Sequence, residues 1–386
     1  MTGAEYPILL AAGGTGGHVF PAEALAAELL RRGHRVGLVT DTRGKGFGQN
    51  LPELPLYRIP AGTPSGRSLV GKLMSVFEIA HGVVSALTLL GLTRPVAVVG
   101  FGGYPALPLL LAARLRRIPI VIHEQNAVLG RVNRLVARFA TRIATSFPAT
   151  HFLPEGAAVT VTGNPVRPAV LAAADVPYSA PEQALRLLVL GGSQGARVLS
   201  DVVPAALVAL PAEMKKRLRI VQQCRAEDLE RVRAAYAQAG IQAETATFFS
   251  DVAQRLAVAH LVISRSGASS TAEIAVVGRP ALLVPYAHAM DDHQSANAQA
   301  LAQAGGALVI AQDKFTPERV VTTFADLLGD AAQLAGMAAH ARSVGRPLAA
   351  QALADLVERV ATEHRQAAAT AAQPASKDHS VKRTAA

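Results

Sequence analysis

Ile8-Leu-Leu-Ala-Ala-Gly-Gly-Thr-Gly-Gly-His18 and Leu187-Leu-Val-Leu-Gly-Gly-Ser-Gln-Gly-Ala196 open the two halves of the chain with the same device. In each, a short apolar run ends in glycines and feeds a helical stretch. Such a turn presents unpaired backbone N–H groups at the positive end of a helix dipole, which suits phosphate or another anion. Working outward, further β-branched or Leu-rich runs alternate with helical segments: Val36–Thr40, Val96–Val99, Ile120–Ile122 and Ile143–Thr145, then Ile220–Gln222, Leu261–Ser264, Ala281–Val284 and Ala307–Ile310. Runs without polar alternation imply strands buried on both faces, hence parallel sheets covered by helices. With 386 residues, more than one core usually organises, the expectation is an α/β protein of two Rossmann-like domains facing each other.

Two common nucleotide signatures are missing. Gly14-x-Gly16 would need a third glycine where Val19 stands, and no Walker-type glycine-rich loop with Gly-Lys-Ser/Thr occurs. Half the residues are apolar and 17% are charged, so the body is globular. The single cysteine, Cys224, excludes an internal disulfide framework and a multi-cysteine zinc site. The apolar stretches Ile79–Leu92 and Ala106–Ala113 fall short of the roughly 20 residues of a spanning helix, and no secretory leader opens the chain, so no membrane span is expected. The net charge of +10 is uneven: sixteen Lys/Arg face eight Asp/Glu through Gly163, nineteen face nineteen from Asn164 to Arg365, and three face one beyond. A nucleic-acid binder does not need that asymmetry; a protein presenting one half to an anionic surface does. Gly163-Asn-Pro-Val-Arg-Pro168 and the Ala-rich residues to Pro181 read as an interdomain connection with a hinge. The boundaries are therefore 1–163, 164–348, a helix over 349–365, and a tail, 366–386, expected to be disordered for want of large apolar residues.

Polar groups gather after the strand ends: Gly100-Phe-Gly-Gly-Tyr-Pro105, His123-Glu-Gln-Asn126, Ser264-Arg-Ser-Gly-Ala-Ser-Ser-Thr-Ala-Glu273 and Asp291-Asp-His-Gln294. Ligands of open α/β sheets bind at those edges. Together with Gly-Asn-Pro-Val-Arg at 163–167 and Gly-Gly-Ser-Gln-Gly-Ala at 191–196, these segments resemble, in order over about residues 6–362, the MurG family of GT-B glycosyltransferases. The resemblance implies a central cleft and inverting transfer of N-acetylglucosamine from UDP-N-acetylglucosamine to the C4 hydroxyl of N-acetylmuramic acid in lipid I, giving lipid II. It carries the donor contacts onto Thr15, Gly16, Gly17, Asn126, Arg167, Ser193, Phe249, Ala268, Ser269, Ser270, Thr271, Ala272, Glu273 and Gln294. Gly102, Gly103, Tyr104, Gln194 and Gly195 fall on the acceptor-side loops. Glu273 has the geometry to accept both ribose hydroxyls, and Asn126 and Gln294 carry donors and acceptors for sugar hydroxyls. The resemblance also implies work at the cytoplasmic face of the bacterial inner membrane as a peripheral protein, beside anionic lipid and cell-wall synthesis complexes, without a cofactor. Some family members have two adjacent glutamines where His293-Gln294 stands, so only Gln294 is carried over.

For proton removal from the acceptor, His18 is favoured, since imidazole titrates near neutrality and lies beside an anion-binding loop; Glu124 is the rival. Asp291 and Asp292 read as a solvated pair rather than metal ligands, because helix dipoles suffice for a departing diphosphate. Two other enzymes remain open, a UDP-sugar 2-epimerase and a GT-B transferase for another acceptor. A basic membrane-surface scaffold is the non-enzyme alternative; it accounts for the charge but not for six ordered polar loops. Docking is expected through the N-terminal half. Arg131, Arg134 and Arg138 share one helical face, and Arg114, Arg116 and Arg117 form a second cluster. Leu69, Leu73, Val76, Ala80, Val83 and Leu87 read as the core stripe of one helix, with Val70, Met74 and Phe77 on the neighbouring face beside Arg67 and Lys72.

Overall fold

The computed structural model describes residues 6–13, 15–42, 47–48, 51–63, 69–192, 195–328 and 330–372. The first half runs β1 (Ile8–Ala11), α1 (Gly16–Arg31), β2 (Val36–Thr40), β3 (Leu56–Arg58), α2 (Leu69–Thr93), β4 (Ala97–Gly100), α3 (Leu107–Leu115), β5 (Ile120–Glu124), α4 (Arg131–Ala137), β6 (Arg142–Thr145) and β7 (Val159–Val161). The second runs α5 (Pro168–Ala173), β8 (Leu185–Leu190), α6 (Arg197–Val208), α7 (Ala212–Arg217), β9 (Leu218–Gln223), α8 (Leu229–Gln238), β10 (Gln242–Ala246), α9 (Val252–Val258), β11 (Leu261–Ser264), α10 (Ala268–Val277), β12 (Ala281–Leu283), α11 (His293–Gln303), β13 (Ala307–Val309), α12 (Pro317–Leu328), α13 (Ala331–Val344) and α14 (Ala349–Ala372).

Both sheets are wholly parallel, in the orders β3-β2-β1-β4-β5-β6-β7 and β10-β9-β8-β11-β12-β13. The strand direction of chain progress reverses beside β1 and again beside β8, so each half has a switch point between its first and fourth strands, where ligands of such sheets bind. The expected pair of Rossmann-like domains is therefore present. β1, β4 and β11 are buried along their whole length, and each sheet is covered by an apolar cluster on either face. The strands β3, β7 and β10 escape a reading by apolar runs, because they lie at or near sheet edges and are only partly buried, with compositions such as Gln-Ala-Glu-Thr-Ala.

The chain crosses between halves twice. The first crossing, at Gly163–Arg167, leads straight into α5, so the connection is shorter than the proline-rich stretch suggested. After α13 the chain returns, and α14 lays Leu353, Leu356, Val357 and Val360 into the first domain's core with Leu25 and Leu29. Arg32 fixes that return through Asp355 (2.6 Å), Glu358 (2.7 Å) and Glu28 (2.7 Å). The crossings touch at Gly163, whose φ is +86°; a Cβ there would lie 2.6 Å from Arg346 Cβ, so only glycine fits. Contrary to the expected disorder, α14 continues to Ala372. Gln366–Ala372 is rich in alanine, a strong helix former, and extends a helix already nucleated on the core. Residues 373–386 of the expected tail lie outside the described residues.

Two readings of α2 need correction. Its buried positions are Ser75, Gly82, Ala86, Leu89 and Leu90, with Val83 and Leu87 of the expected stripe packed partly buried beside them, while Leu73 (59% exposed), Val76 and Ala80 face outward with Met74 and Phe77 (62% exposed); Arg67 and the side chains of Leu69 and Val70 lie outside the described residues. Backbone contact sets this rotation. A Cβ at Gly82 would lie 2.0 Å from the Pro60 carbonyl, and one at Gly62 would lie 2.2 Å from the Ser75 carbonyl. By length and composition Gly71–Thr93 would also suffice to cross a membrane, because Lys72 and Glu78 interrupt the apolar run without lowering its average enough. Its packing against α3 and the Pro60 segment instead makes it a covering helix with one apolar face left open.

Candidate active site

The loops after β1, β4 and β5 converge. Thr15 caps α1 with extended backbone, and its carbonyl accepts from the His18 and Val19 amides. Gly16 and Gly17 open the first turn, and Pro21 falls in the second. A Cβ on Gly13 would press within 2.6 Å of Pro105, which brings the β1 loop against the single helical turn Tyr104–Ala106. Gly102 and Gly103 adopt φ of +85° and +75°, and a Cβ on Gly102 would lie 3.4 Å from His18 Nε2. These glycines thus serve a conformation and a close approach to His18 together.

The His18 ring is partly exposed, but its Nδ1 is buried and has no hydrogen-bond partner among the described residues. Burial pushes its pKa below the ordinary imidazole value; the charge of Glu124 and the Gly13 backbone oppose that shift, and His293, from the other domain, adds to it. Glu124 is itself heavily used. Its Oε1 accepts from Asn126 N (3.0 Å) and Asn126 Nδ2 (3.1 Å), and its Oε2 accepts from Gly130 N (2.8 Å) and Asn133 Nδ2 (2.8 Å). Four donors on one buried carboxylate make it the organiser of the 125–133 loop. The neighbouring His123 is fully buried, its pKa pushed down to about 4 by desolvation, so it is neutral. It meets the Gly163 carbonyl (3.0 Å) and Gln125 (3.0 Å), joining this loop to the first crossing.

In the second domain, Gly267 caps α10, whose first turn is Ala268, Ser269, Ser270 and Thr271. Thr271 turns its hydroxyl back to the Gly267 carbonyl (3.1 Å), whereas Ser269 Oγ is buried without a partner among the described residues. Ala272 is half-buried, and Glu273, in the second turn, is 6% exposed. Burial raises the Glu273 pKa and Arg167 opposes the rise. Arg167 holds Glu273 through contacts of 2.9 and 3.1 Å and lies 4.8 Å over the Phe20 ring of the first domain. The two residues carried over separately from sequence are thus one ion pair beside the cleft. Phe249 is buried under the Arg255 guanidinium (4.2 Å), and Gln294 Oε1 accepts from Tyr286 N (3.0 Å). Gly195 follows the β8 loop with φ +68°; Ser193 and Gln194 lie outside the described residues.

Contacts across the cleft were the part sequence missed. Asn297, fully buried on α11, accepts from Ala127 N (2.8 Å) and donates to Asn126 Oδ1 and to the Ser266 carbonyl, both at 3.1 Å. Asn126 is therefore already engaged on both sides, by Glu124 and by Asn297, rather than standing free for a sugar. Arg134 reaches Asp291 (2.6 Å) and covers Phe152 (3.9 Å), so it ties the domains instead of extending the Arg131 and Arg138 face. Asp291 and Asp292 both have left-handed backbone, and Asp292 accepts from Ser295 (2.7 Å). Among the described residues no group of three or more His, Cys, Asp or Glu is arranged to hold a metal. One signal was available in sequence: Asn297 falls one turn after Gln294 in the helix that Asp291–Gln294 opens.

Comparison with known proteins fits this geometry. Residues 8–145 match the glycosyltransferase family 28 N-terminal domain, and residues 186–360 match the glycosyltransferase family 28 C-terminal domain. The chain is 54% identical to the UDP-N-acetylglucosamine--N-acetylmuramyl-(pentapeptide) pyrophosphoryl-undecaprenol N-acetylglucosamine transferase of Rhodospirillum centenum, covering 91% of this chain and 93% of that one. Its likeness to the enzyme of the same name from Paramagnetospirillum magneticum is also 54%, covering 91% and 95%. Among solved structures it resembles Acinetobacter baumannii MurG, with a TM-score of 0.74 and 35% identity over 92% of this chain and 99% of that one. A UDP-GlcNAc 2-epimerase from Neisseria meningitidis shares the fold at 14% identity, with a TM-score of 0.66 over 92% and 100% of the two chains.

Proposed function

The chain belongs to the MurG members of glycosyltransferase family 28, and from that premise we propose that it moves N-acetylglucosamine from UDP-N-acetylglucosamine to the C4 hydroxyl of N-acetylmuramic acid in lipid I, with inversion, to give lipid II. The observation that carries this reading is the 54% identity over 91% of the chain with transferases of that activity. Support comes from His18 on a glycine-framed ledge of one domain, where the charge of His293 from the other domain is felt, and from the packing of α1 against α10. In the step, the acceptor oxygen attacks the anomeric carbon and the bond to UDP breaks, UDP leaving with the electron pair. Neutral His18 takes the hydroxyl proton, and the nearby Glu124 charge favours the imidazolium that forms. The amides of the first α10 turn meet the diphosphate. Glu273 takes the ribose hydroxyls, and Arg167 opposes the rise in its pKa that burial brings. Asn126 acts through the loop it braces as well as through any free donor it retains.

Purified protein given UDP-N-acetylglucosamine and a soluble lipid I analogue should yield a new β-1,4 linkage. Free epimerised sugar in its place would turn the reading to the epimerase. Glu273→Ala is expected to weaken UDP and UDP-sugar together by tenfold or more, since a charge-assisted contact is worth roughly 1.5–3 kcal/mol. Calorimetry that returns wild-type UDP affinity removes Glu273 from the donor site.

The same reading places the protein on the cytoplasmic face of the inner membrane, where its acceptor's sugar lies close to the bilayer, and so in the service of cell shape and division. The open face of α2, with Leu73, Met74, Val76, Phe77 and, at its far end, Leu92, supports docking, together with exposed Leu115 on α3. Lys72, Arg94, Arg114, Arg116 and Arg117 stand exposed on the same domain. Each basic residue near anionic lipid adds about 1 kcal/mol, screened by salt. Flotation with phosphatidylglycerol vesicles should fall as salt rises, and should fall about tenfold or more in Leu73→Ser/Phe77→Ser. Unchanged flotation of that variant would move the docking surface elsewhere. Arg131→Glu/Arg138→Glu tests the α4 face separately, leaving Arg134 on its Asp291 partner.

A further inference from the structure

The carboxyl end of β9 carries a cation that the proposed chemistry has not used. Arg225 follows Cys224 directly after that strand, and β9 lies beside β8, the strand whose loop opens the second domain's switch point. That loop is fastened over the end of β9. Gly191 N donates to Gln223 Oε1 (3.3 Å), and a Cβ on Gly195 would lie 2.9 Å from Arg225 Cγ and 3.5 Å from its backbone nitrogen. The stem of Arg225 is therefore wedged directly under the loop. Its Nε is buried and has no partner among the described residues, while the rest of the guanidinium remains accessible, the side chain being 39% exposed. Among the described residues its carboxylate neighbour, Glu227, is 3.8 Å away and well exposed, a weak pair.

A second arginine stands at the same edge of the sheet. Arg265 lies two strands away, after β11, and its guanidinium is spent on the Val284 and Pro285 carbonyls (3.0 Å each) and Gln312 (2.7 Å). The charge of Arg225 is near enough to depress the pKa of Arg265, which desolvation already lowers. The close approach of its Cγ to Gly195 keeps the Arg225 stem against the β8 loop. Two arginines after β9 and β11, the strands on either side of β8, add positive charge at the edge where the β8 loop stands, which favours an anion there.

We propose that Arg225 is a further donor-binding residue, its guanidinium meeting the diphosphate of the nucleotide sugar and of the nucleoside diphosphate released from it. The inference rests on the donor reading above and extends it to a residue outside the motifs that carried that reading. The accessible Nη1 and Nη2 of such a guanidinium offer two parallel N–H groups that a phosphate accepts, while the stem is held under the loop.

Titration of full-length wild type, Arg225→Ala and Arg225→Lys with UDP by calorimetry, and with uridine by ligand-observed NMR, tests it. Arg225→Ala should bind UDP roughly tenfold or more weakly, with uridine binding unchanged; Arg225→Lys, keeping charge but not the fork, should fall between. The slope of UDP affinity against salt should flatten in Arg225→Ala. Melting temperatures close to wild type are expected, since the head group is accessible and its pairs are weak. Wild-type UDP affinity in Arg225→Ala overturns the inference alone, as does an equal loss for uridine, which would mark a distorted loop. Wild-type protein that takes up no UDP overturns the donor reading, and this inference falls with it.

Discussion

His18→Ala is expected to lower kcat by about 10²–10⁴-fold, the usual contribution of a general base, while UDP affinity stays near wild type. The asymmetry follows from position. His18 belongs to the glycine-framed ledge of the first domain, whereas Arg167, Glu273 and the first turn of α10 gather on the second. The pH profile gives an independent reading. Only neutral imidazole accepts a proton, so kcat/KM should rise with pH through the His18 pKa. Burial lowers that pKa, and with it the acid limb, below the ordinary value near 6.5. The variant should lose that limb. If its kcat matches wild type, the proton goes elsewhere; if the wild-type limb lies above the ordinary imidazole value, the burial of Nδ1 is not felt in the working enzyme.

How far this site could be read in the amino-acid sequence depends on the length scale of the force that built each part. The β1 and β8 turns were legible because a buried strand, a glycine turn and a helix start are local facts, written within about eleven residues at 8–18 and ten at 187–196. Strands β3, β7 and β10 were not, since a strand near an edge need not be apolar on both faces. The rotation of α2 was misread because nearly every position of that helix is apolar or small; periodicity cannot choose a face, and the Gly62 and Gly82 backbone contacts that do choose are long-range. The same holds for Asn297 and Arg134. Their partners, Asn126, Ala127 and Asp291, lie more than 150 positions away, and polar side chains on helices ordinarily face solvent. Arg167 and Glu273 were both named from sequence, but their union as one ion pair appears only when the first crossing is folded against α10.

Glu124→Gln should separate the organiser from the rival base and is expected to be costly to stability. In the wild type each carboxylate oxygen receives two donors: Asn126 N and Nδ2 on one, Gly130 N and Asn133 Nδ2 on the other. Glutamine keeps one oxygen and turns the other into an amide nitrogen, so whichever way it is placed, one pair of donors faces a donor. Each buried group left unmade is worth about 1–3 kcal/mol, so a loss of roughly 2–6 kcal/mol and a melting point lower by on the order of 10 °C are expected. Assayed where the variant is folded, kcat should drop by about 10- to 100-fold, because the imidazolium formed on His18 loses its nearby negative charge and the Asn126 loop loses its brace. The sign of the pH shift decides the role. Glu124 raises the His18 pKa, so its neutralisation should move the acid limb further down in pH while leaving it visible. Were Glu124 the base, glutamine in its place would abolish that limb, and His18→Ala would keep it. A pH–rate profile of the two variants beside wild type, with thermal melts to confirm that each is folded, distinguishes the outcomes.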